Sequence, residues 1–234
     1  MRLLATTLFL LVLAGQTIAA ELKPFKATYA ARFNGVSITA TRELSGQEDN
    51  WRLDFDSSAL FANIKEYSRF TSQDGLVTPR HYEYRRTGLG RDRATVLNFE
   101  PSKGLVFNVH NPERDLKDVP PNILDKVSYQ MQLALDIAAG KKDLQYKIAD
   151  GKKIRDYKFN QIGTETLKTP LGPVETIKVA RVRDTESGRE TTVWIAPQWN
   201  YALVKLIQRE ENGKRYQINL TKLSINGEKV TASQ

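Results

Sequence analysis

Thr191 to Leu223 reads TTVWIAPQWNYALVKLIQREENGKRYQINLTKL. Three short runs of β-branched, aromatic and alternating residues are separated by a corner, Pro197-Gln198-Trp199-Asn200, and a turn, Glu211-Asn212-Gly213. Proline has no N–H to give to a sheet ladder, and Asn-Gly tolerates the positive φ of a tight reversal. The stretch therefore predicts an antiparallel meander.

The same grammar extends toward the N-terminus. Phe25, Ala27, Tyr29, Ala31 and Phe33 alternate with Lys26, Thr28, Ala30 and Arg32, the period of a strand with one buried face. Asn34-Gly35 predicts a type I′ hairpin into a strand from Val36 to Leu44, with Val36, Ile38 and Ala40 on one face. A polar loop at 45–50 precedes Trp51, Leu53 and Phe55, which alternate again. Further strands are expected at Ile64 to Thr71, Val77 to Arg86, Arg93 to Phe99 and Leu105 to Val109, with Pro79 at the start or edge of its strand. Residues 111–121 carry charges and prolines and read as an exposed connection. Beyond them lie runs at Leu144 to Ala149, Ile154 to Ile162, a short Thr164 to Thr169, Val174 to Arg183 and Glu190 to Ala196. Roughly thirteen short strands at this spacing suit a barrel or sandwich.

One helix is predicted in the mature chain, at about 125–139. Asp125 suits its N-cap, and Val127, Met131, Ala134, Leu135 and Ala138 recur at three- and four-residue spacing. Gly140 ends it, with Lys141 and Lys142 at the negative end of its dipole. The expected fold class is mainly β: a curved antiparallel sheet forming an open barrel or half-barrel, with this amphipathic helix packed on it.

Residues 1–19 read as a secretory signal peptide. Arg2 supplies the positive start, Leu3 to Leu13 is apolar apart from Thr6 and Thr7, and Thr17 and Ala19 stand at −3 and −1 of a cut before Ala20. Residues 20–234 are then expected to form a single exported, periplasmic domain. The chain has no cysteine, so neither lipoprotein acylation nor thiol catalysis is expected, and the fold relies on its core without disulfides. Later segments are too polar for a membrane-spanning helix. With His81 and His110 as the two histidines, no metal site and no cofactor are expected. The formal charge of +8 suits contact with anionic lipid, lipopolysaccharide, acidic glycan or stray nucleic acid. A basic solvated surface with no specific partner is the plainer reading, charge alone decides nothing, and no nucleic-acid partner is expected.

No catalytic residues can be assigned. The carboxylates are scattered, and neither a G-x-S-x-G elbow nor an H-E-x-x-H helix occurs. The densest binding candidate is Arg85-Arg86-Thr87-Gly88-Leu89-Gly90-Arg91-Asp92-Arg93, where two glycines expose backbone N–H groups among four arginines. A solvated hairpin loop is the plainer reading of the same residues. Trp194, Trp199 and Tyr201 surround the Pro197 corner, where strand aromatics serve core packing more often than ligands.

The chain resembles the domain-of-unknown-function 3108 family of exported bacterial proteins. The resemblance rests on the opening Phe25 to Gly35 pair, Tyr82-Glu83-Tyr84-Arg85, the turn from Thr169 to Thr176, and Val193-Trp194-Ile195-Ala196-Pro197. These are strand and turn residues, so they imply a fold and bring no chemistry. A looser similarity is to periplasmic lipoprotein carriers, which implies a curved barrel with an apolar cavity covered by helices.

The leading expectation is non-catalytic binding of an amphiphilic lipid or acyl ligand in envelope maintenance. Met131, Leu135 and Trp194 would meet the apolar part, and Arg85, Arg86, Arg91 and Arg93 an anionic head group. A periplasmic interaction or scaffold module with an envelope protein as partner is the alternative, and an envelope hydrolase is third.

Overall fold

The computed structural model describes residues 21–33, 36–59, 62–88, 90–182 and 189–231. The expected signal peptide, the Asn34-Gly35 turn, Leu89 and the turn at 185–188 lie outside these residues. The described chain forms β1 (Phe25–Phe33), β2 (Val36–Gln47), β3 (Asn50–Ala59), β4 (Ala62–Gln73), β5 (Leu76–Gly88), β6 (Arg93–Glu100), β7 (Leu105–Asn108) and β8 (Leu116–Lys117). Then come α1 (Ser128–Ala138), β9 (Leu144–Ala149), β10 (Ile154–Thr169), β11 (Gly172–Arg181), β12 (Glu190–Ala196), β13 (Ala202–Arg209), β14 (Arg215–Ile225) and β15 (Glu228–Lys229).

All strand pairings are antiparallel, in the order β8-β7-β6-β5-β4-β3-β2-β1-β14-β13-β12-β11-β10-β9, with β15 on β14. Two meanders, β1–β8 and β9–β14, are thus joined where the first strand pairs the last long one. Ala27 faces Leu223 across this junction, and a bulge between Thr28 and Tyr29 adds twist. Further irregularities at Arg69/Phe70, Gln161/Gly163 and Trp194/Ile195 help the sheet curl.

The result is a nearly closed barrel whose seam lies between β8 and β9. One parallel bridge spans it: Leu124 N–H donates to Lys147 O at 2.9 Å, and Ala149 N–H to Leu124 O at 2.8 Å. Asn108 Nδ2 reinforces the closure by donating to Gly151 O at 2.9 Å. Residues 111–121 are more ordered than an exposed connection, because β8 pairs β7 and Val119 is buried next to the seam. Pro79 lies where β5 pairs β4 and not yet β6, so its missing N–H leaves no ladder bond unmade on the second side. The expected break between Ile162 and Thr164 is only a bulge within β10, where Gly163 takes φ +137°.

Asp125 caps α1, as its position in the sequence predicts. Its Oδ1 accepts the N–H groups of Val127 at 2.7 Å and Ser128 at 2.8 Å, while Ser128 Oγ accepts the Asp125 N–H at 3.0 Å. The helix differs from the expected one-sided packing. Met131, Leu133, Leu135 and Ile137 are buried, and so are Gln132 and Asp136. It packs against β4, β5 and β9 inside the barrel and joins the inner faces of both meanders in one core.

Candidate functional site

Between α1 and the inner sheet lies a cavity of about 100 Å³. Met131 and Leu135 supply its helical wall. Leu44 of β2, Val193 and Ile195 of β12, and Leu203 and Leu206 of β13 supply the opposite wall. Strand alternation explains this set: residues two apart share a face, and the bulge between Trp194 and Ile195 keeps Leu203 and Leu206 both inward. Leu22 and Phe25 also line it, so the segment leading into β1 borders the opening. Tyr129 stacks on Phe159 with 5.9 Å between ring centroids and meets Tyr157 edge-on at 5.3 Å. Burial pushes the Tyr129 hydroxyl well above the usual tyrosine range.

One charge interrupts this wall. Arg42, between Ala40 and Leu44 on the inner face of β2, is 5% exposed and lines the cavity. Its guanidinium lies 5.9 Å from the Phe25 ring centroid. Its Nη2 is the one buried side-chain nitrogen or oxygen without a hydrogen-bond partner among the described residues. Beside it, the buried Tyr29 hydroxyl donates to Leu203 O at 3.1 Å. Burial raises the pKa of Tyr29, and the charge of Arg42 and its hydrogen bond to the phenol oxygen pull it the other way.

A second polar group sits at the foot of α1. Ser68 Oγ donates to Asp125 Oδ2 at 2.6 Å in full burial. Burial pushes the Asp125 carboxyl up to about 6, against the hydrogen bonds from Ser68, Ser128 and Val127. Three of its side-chain and backbone contacts form the cap and the fourth ties the helix start to Ser68 of β4, so this group is positioned for structure. Among the described residues, no group of three His, Cys, Asp or Glu side chains could hold a metal ion.

The residues singled out in the sequence fall in different places. Met131 and Leu135 line the cavity. Trp194 points to the opposite sheet face from its neighbours Val193 and Ile195. Its Nε1 donates to Glu165 Oε2 at 2.8 Å, and Lys205 and Lys178 lie 4.6 and 5.1 Å from its ring centroid. Arg85 pairs with Glu83 at 3.0 Å, and Arg86 Nη2 donates to Arg91 O at 3.1 Å. Arg91 and Arg93 are exposed, and none of the four arginines lines the cavity. Arg42 was legible in principle: the alternation Ile38, Ala40, Arg42, Leu44 places a guanidinium on an otherwise apolar face. Tyr129 and Phe159 were not legible as a pair, since only the tertiary fold stacks them.

Comparison with known proteins agrees with this architecture. A family model described as "Protein of unknown function (DUF3108)" matches residues 26–221. The crystal structure of a beta-barrel-like protein of domain of unknown function DUF1849 from Brucella abortus superposes with a TM-score of 0.59 at 13% identity. It covers 88% of this chain and 99% of that one, so the two share a fold. A putative outer membrane lipoprotein-sorting protein domain from Vibrio parahaemolyticus covers 87% and 85% at 10% identity, but its TM-score of 0.26 carries no argument. The RNA-directed RNA polymerase L of Lassa virus is 30% identical over 94 residues, which are 40% of this chain and 4% of that protein. The chain spans so little of that relative that the match brings no activity with it.

Proposed function

This chain belongs to the DUF3108 family, and from that premise we propose that it is a non-catalytic, periplasmic binding protein for an amphiphilic lipid or acyl ligand. The observation that carries the reading is the apolar cavity between α1 and the inner sheet, open past Leu22 and Phe25. Burying a methylene there is worth about 0.8 kcal/mol, so even a short acyl segment gains several kcal/mol before the costs of ordering it. At about 100 Å³ the slot is smaller than the ~300–1,000 Å³ common for sites that enclose a drug-sized ligand. It therefore favours one thin, unbranched chain over a fused ring system.

Native mass spectrometry of the protein purified gently from its host, with extraction of whatever travels with it, tests the reading. The expected result is a lipid or acyl species near one per protein, lost from a Met131→Gln, Leu135→Gln double variant that keeps the wild-type circular dichroism. A bare protein mass that does not change on incubation with envelope lipids would reject it.

A further inference from the structure

We propose that Arg42 receives the head group of the ligand, and that this head group is a monoanion, in the simplest case the carboxylate of a fatty acid. The proposal rests on reading the cavity as a ligand slot, and it places the anion inside the barrel instead of at the β5–β6 loop.

A guanidinium is stripped of water only at a large cost, and that cost is normally offset by a carboxylate or by carbonyl acceptors for its N–H groups. Arg42 is buried to 5% exposure, yet its Nη2 has no acceptor, and it forms no ion pair among the described residues. The Tyr29 hydroxyl gives its own proton to Leu203 O and accepts a hydrogen bond from the Arg42 guanidinium, a neutral partner that leaves Nη2 unanswered and the charge unbalanced. The Phe25 ring, 5.9 Å from the guanidinium carbon, supplies a weak cation–π contact and no hydrogen-bond acceptor. What this geometry lacks is an oxyanion: Arg42 is among the residues that line the cavity, and its Nη2, closed over in this structure, would meet an anion there after a small shift of the side chain.

The tail direction follows from the strand. Leu44, two residues along the same face, continues the wall into the slot shared with Leu203 and Ile195. A carboxylate on Arg42 would therefore leave its alkyl chain along an apolar surface. The exposed loop arginines differ, because water or neighbouring protein oxygens already satisfy their N–H groups, and an ion pair at such a site is worth little. The Arg42 side chain brings one positive charge, and Lys23 stands exposed at the rim. The exposed Glu21 offsets Lys23 at that rim, so the one buried charge balances a carboxylate, whereas a phosphate monoester would bring a second negative charge with no buried partner.

The experiment is a titration of the purified protein with three probes of equal chain length, dodecanoate, dodecanol and dodecyl phosphate, each below its micellar concentration. Dodecanoate is expected to bind at least tenfold more tightly than dodecanol, and dodecyl phosphate no more tightly than dodecanoate. Arg42→Met should bring dodecanoate to the level of dodecanol while leaving dodecanol unchanged. Its ligand-free melting temperature should equal or exceed that of the wild type, because an unanswered buried charge has been removed. Arg42→Lys, which keeps the charge and loses the fork, should fall between the two and provides a check if Arg42→Met does not fold. Equal affinity of the wild type for dodecanoate and dodecanol would overturn the assignment to Arg42 and leave the slot standing. Tighter binding of dodecyl phosphate would overturn the monoanion, and failure of all three to bind would overturn the slot itself.

Discussion

Asp125 is fully buried, and its carboxylate both caps α1 and accepts the Ser68 hydroxyl. Burial raises its folded pKa to about 6 from a reference value of 3.8. A carboxyl raised in this way binds its proton more tightly when folded, so its contribution to stability is fully present below about pH 4 and is lost as the pH rises through about 6. The shift corresponds to about 3 kcal/mol at the outside. Chemical unfolding at pH 4.5 and 7.5 should show this loss in the wild type. Asp125→Asn, which keeps an oxygen for the cap and cannot ionise, should show a smaller one, and equal slopes for both would refute the assignment. Trp194 makes a contrasting prediction. Trp194→Phe removes a hydrogen bond to Glu165 and weakens two cation–π contacts, at a cost of about 1–2 kcal/mol. It should also let the Glu165 carboxyl, now held low by that bond, titrate at higher pH by NMR. Binding in the slot should not change, since the side chain lies on the other face of the sheet.

At the scale of one element, α1 is a plug more than a cover. Gln132 accepts the Val77 N–H at 2.7 Å through Oε1, and its Nε2 donates to Gly75 O at 2.8 Å and Asp136 Oδ1 at 3.0 Å. The β4–β5 turn is thereby clamped to the helix. Asp136 in turn accepts the Tyr146 hydroxyl at 3.0 Å and pairs with Lys141 at 2.7 Å, which ties the helix to β9 and to its own C-terminal turn. Gln132→Ala should cost about 2–3 kcal/mol in chemical unfolding, because it strands a buried N–H and removes an acceptor's partner. A loss below about 0.5 kcal/mol would mean that water replaces the amide. The spacing of Val127, Met131, Leu135 and Ala138 located this helix, and Asp125 and Gly140 set its ends. The burial of Gln132 and Asp136 was not legible, because polar residues at helical spacing read as a solvent face unless the turn and the tyrosine that satisfy them are known.

At the scale of the molecule, the seam between the two meanders is the place where closure depends on few bonds. Gly151 sits there at φ +87°, and a Cβ on it would stand 2.6 Å from Thr95 Cγ2. Gly151→Ala should therefore destabilise by about 2–3 kcal/mol, from a left-handed backbone and an overlap with a branched side chain. Adding Thr95→Ser, which deletes the clashing methyl, should restore part of that loss. A double variant no more stable than the single one would show that the backbone strain alone accounts for it. Hydrogen exchange should likewise be faster at the bridging amides of Leu124 and Ala149 than in the continuous ladder between β1 and β14, since one bridge opens without unravelling its neighbours.

The sequence alone determined the local structure. Alternation from Phe25 to Phe33 and the reversals around Pro197 and Gly213 dictated antiparallel strands, because side-chain period and turn chemistry act over a few residues. The helix and the general curvature followed from the same local rules, and Met131 and Leu135 were singled out from their spacing. Tertiary structure decided what those elements enclose. Pairing β1 with β14 brings residues some two hundred positions apart to one wall, and it turns Arg42 from one charge in a strand into a buried guanidinium beside an apolar slot. It also turned Trp194 away from that slot, through the parity of β12. Which face of a strand lines a cavity depends on how the sheet closes, and closure is set by contacts between distant segments that no local pattern contains.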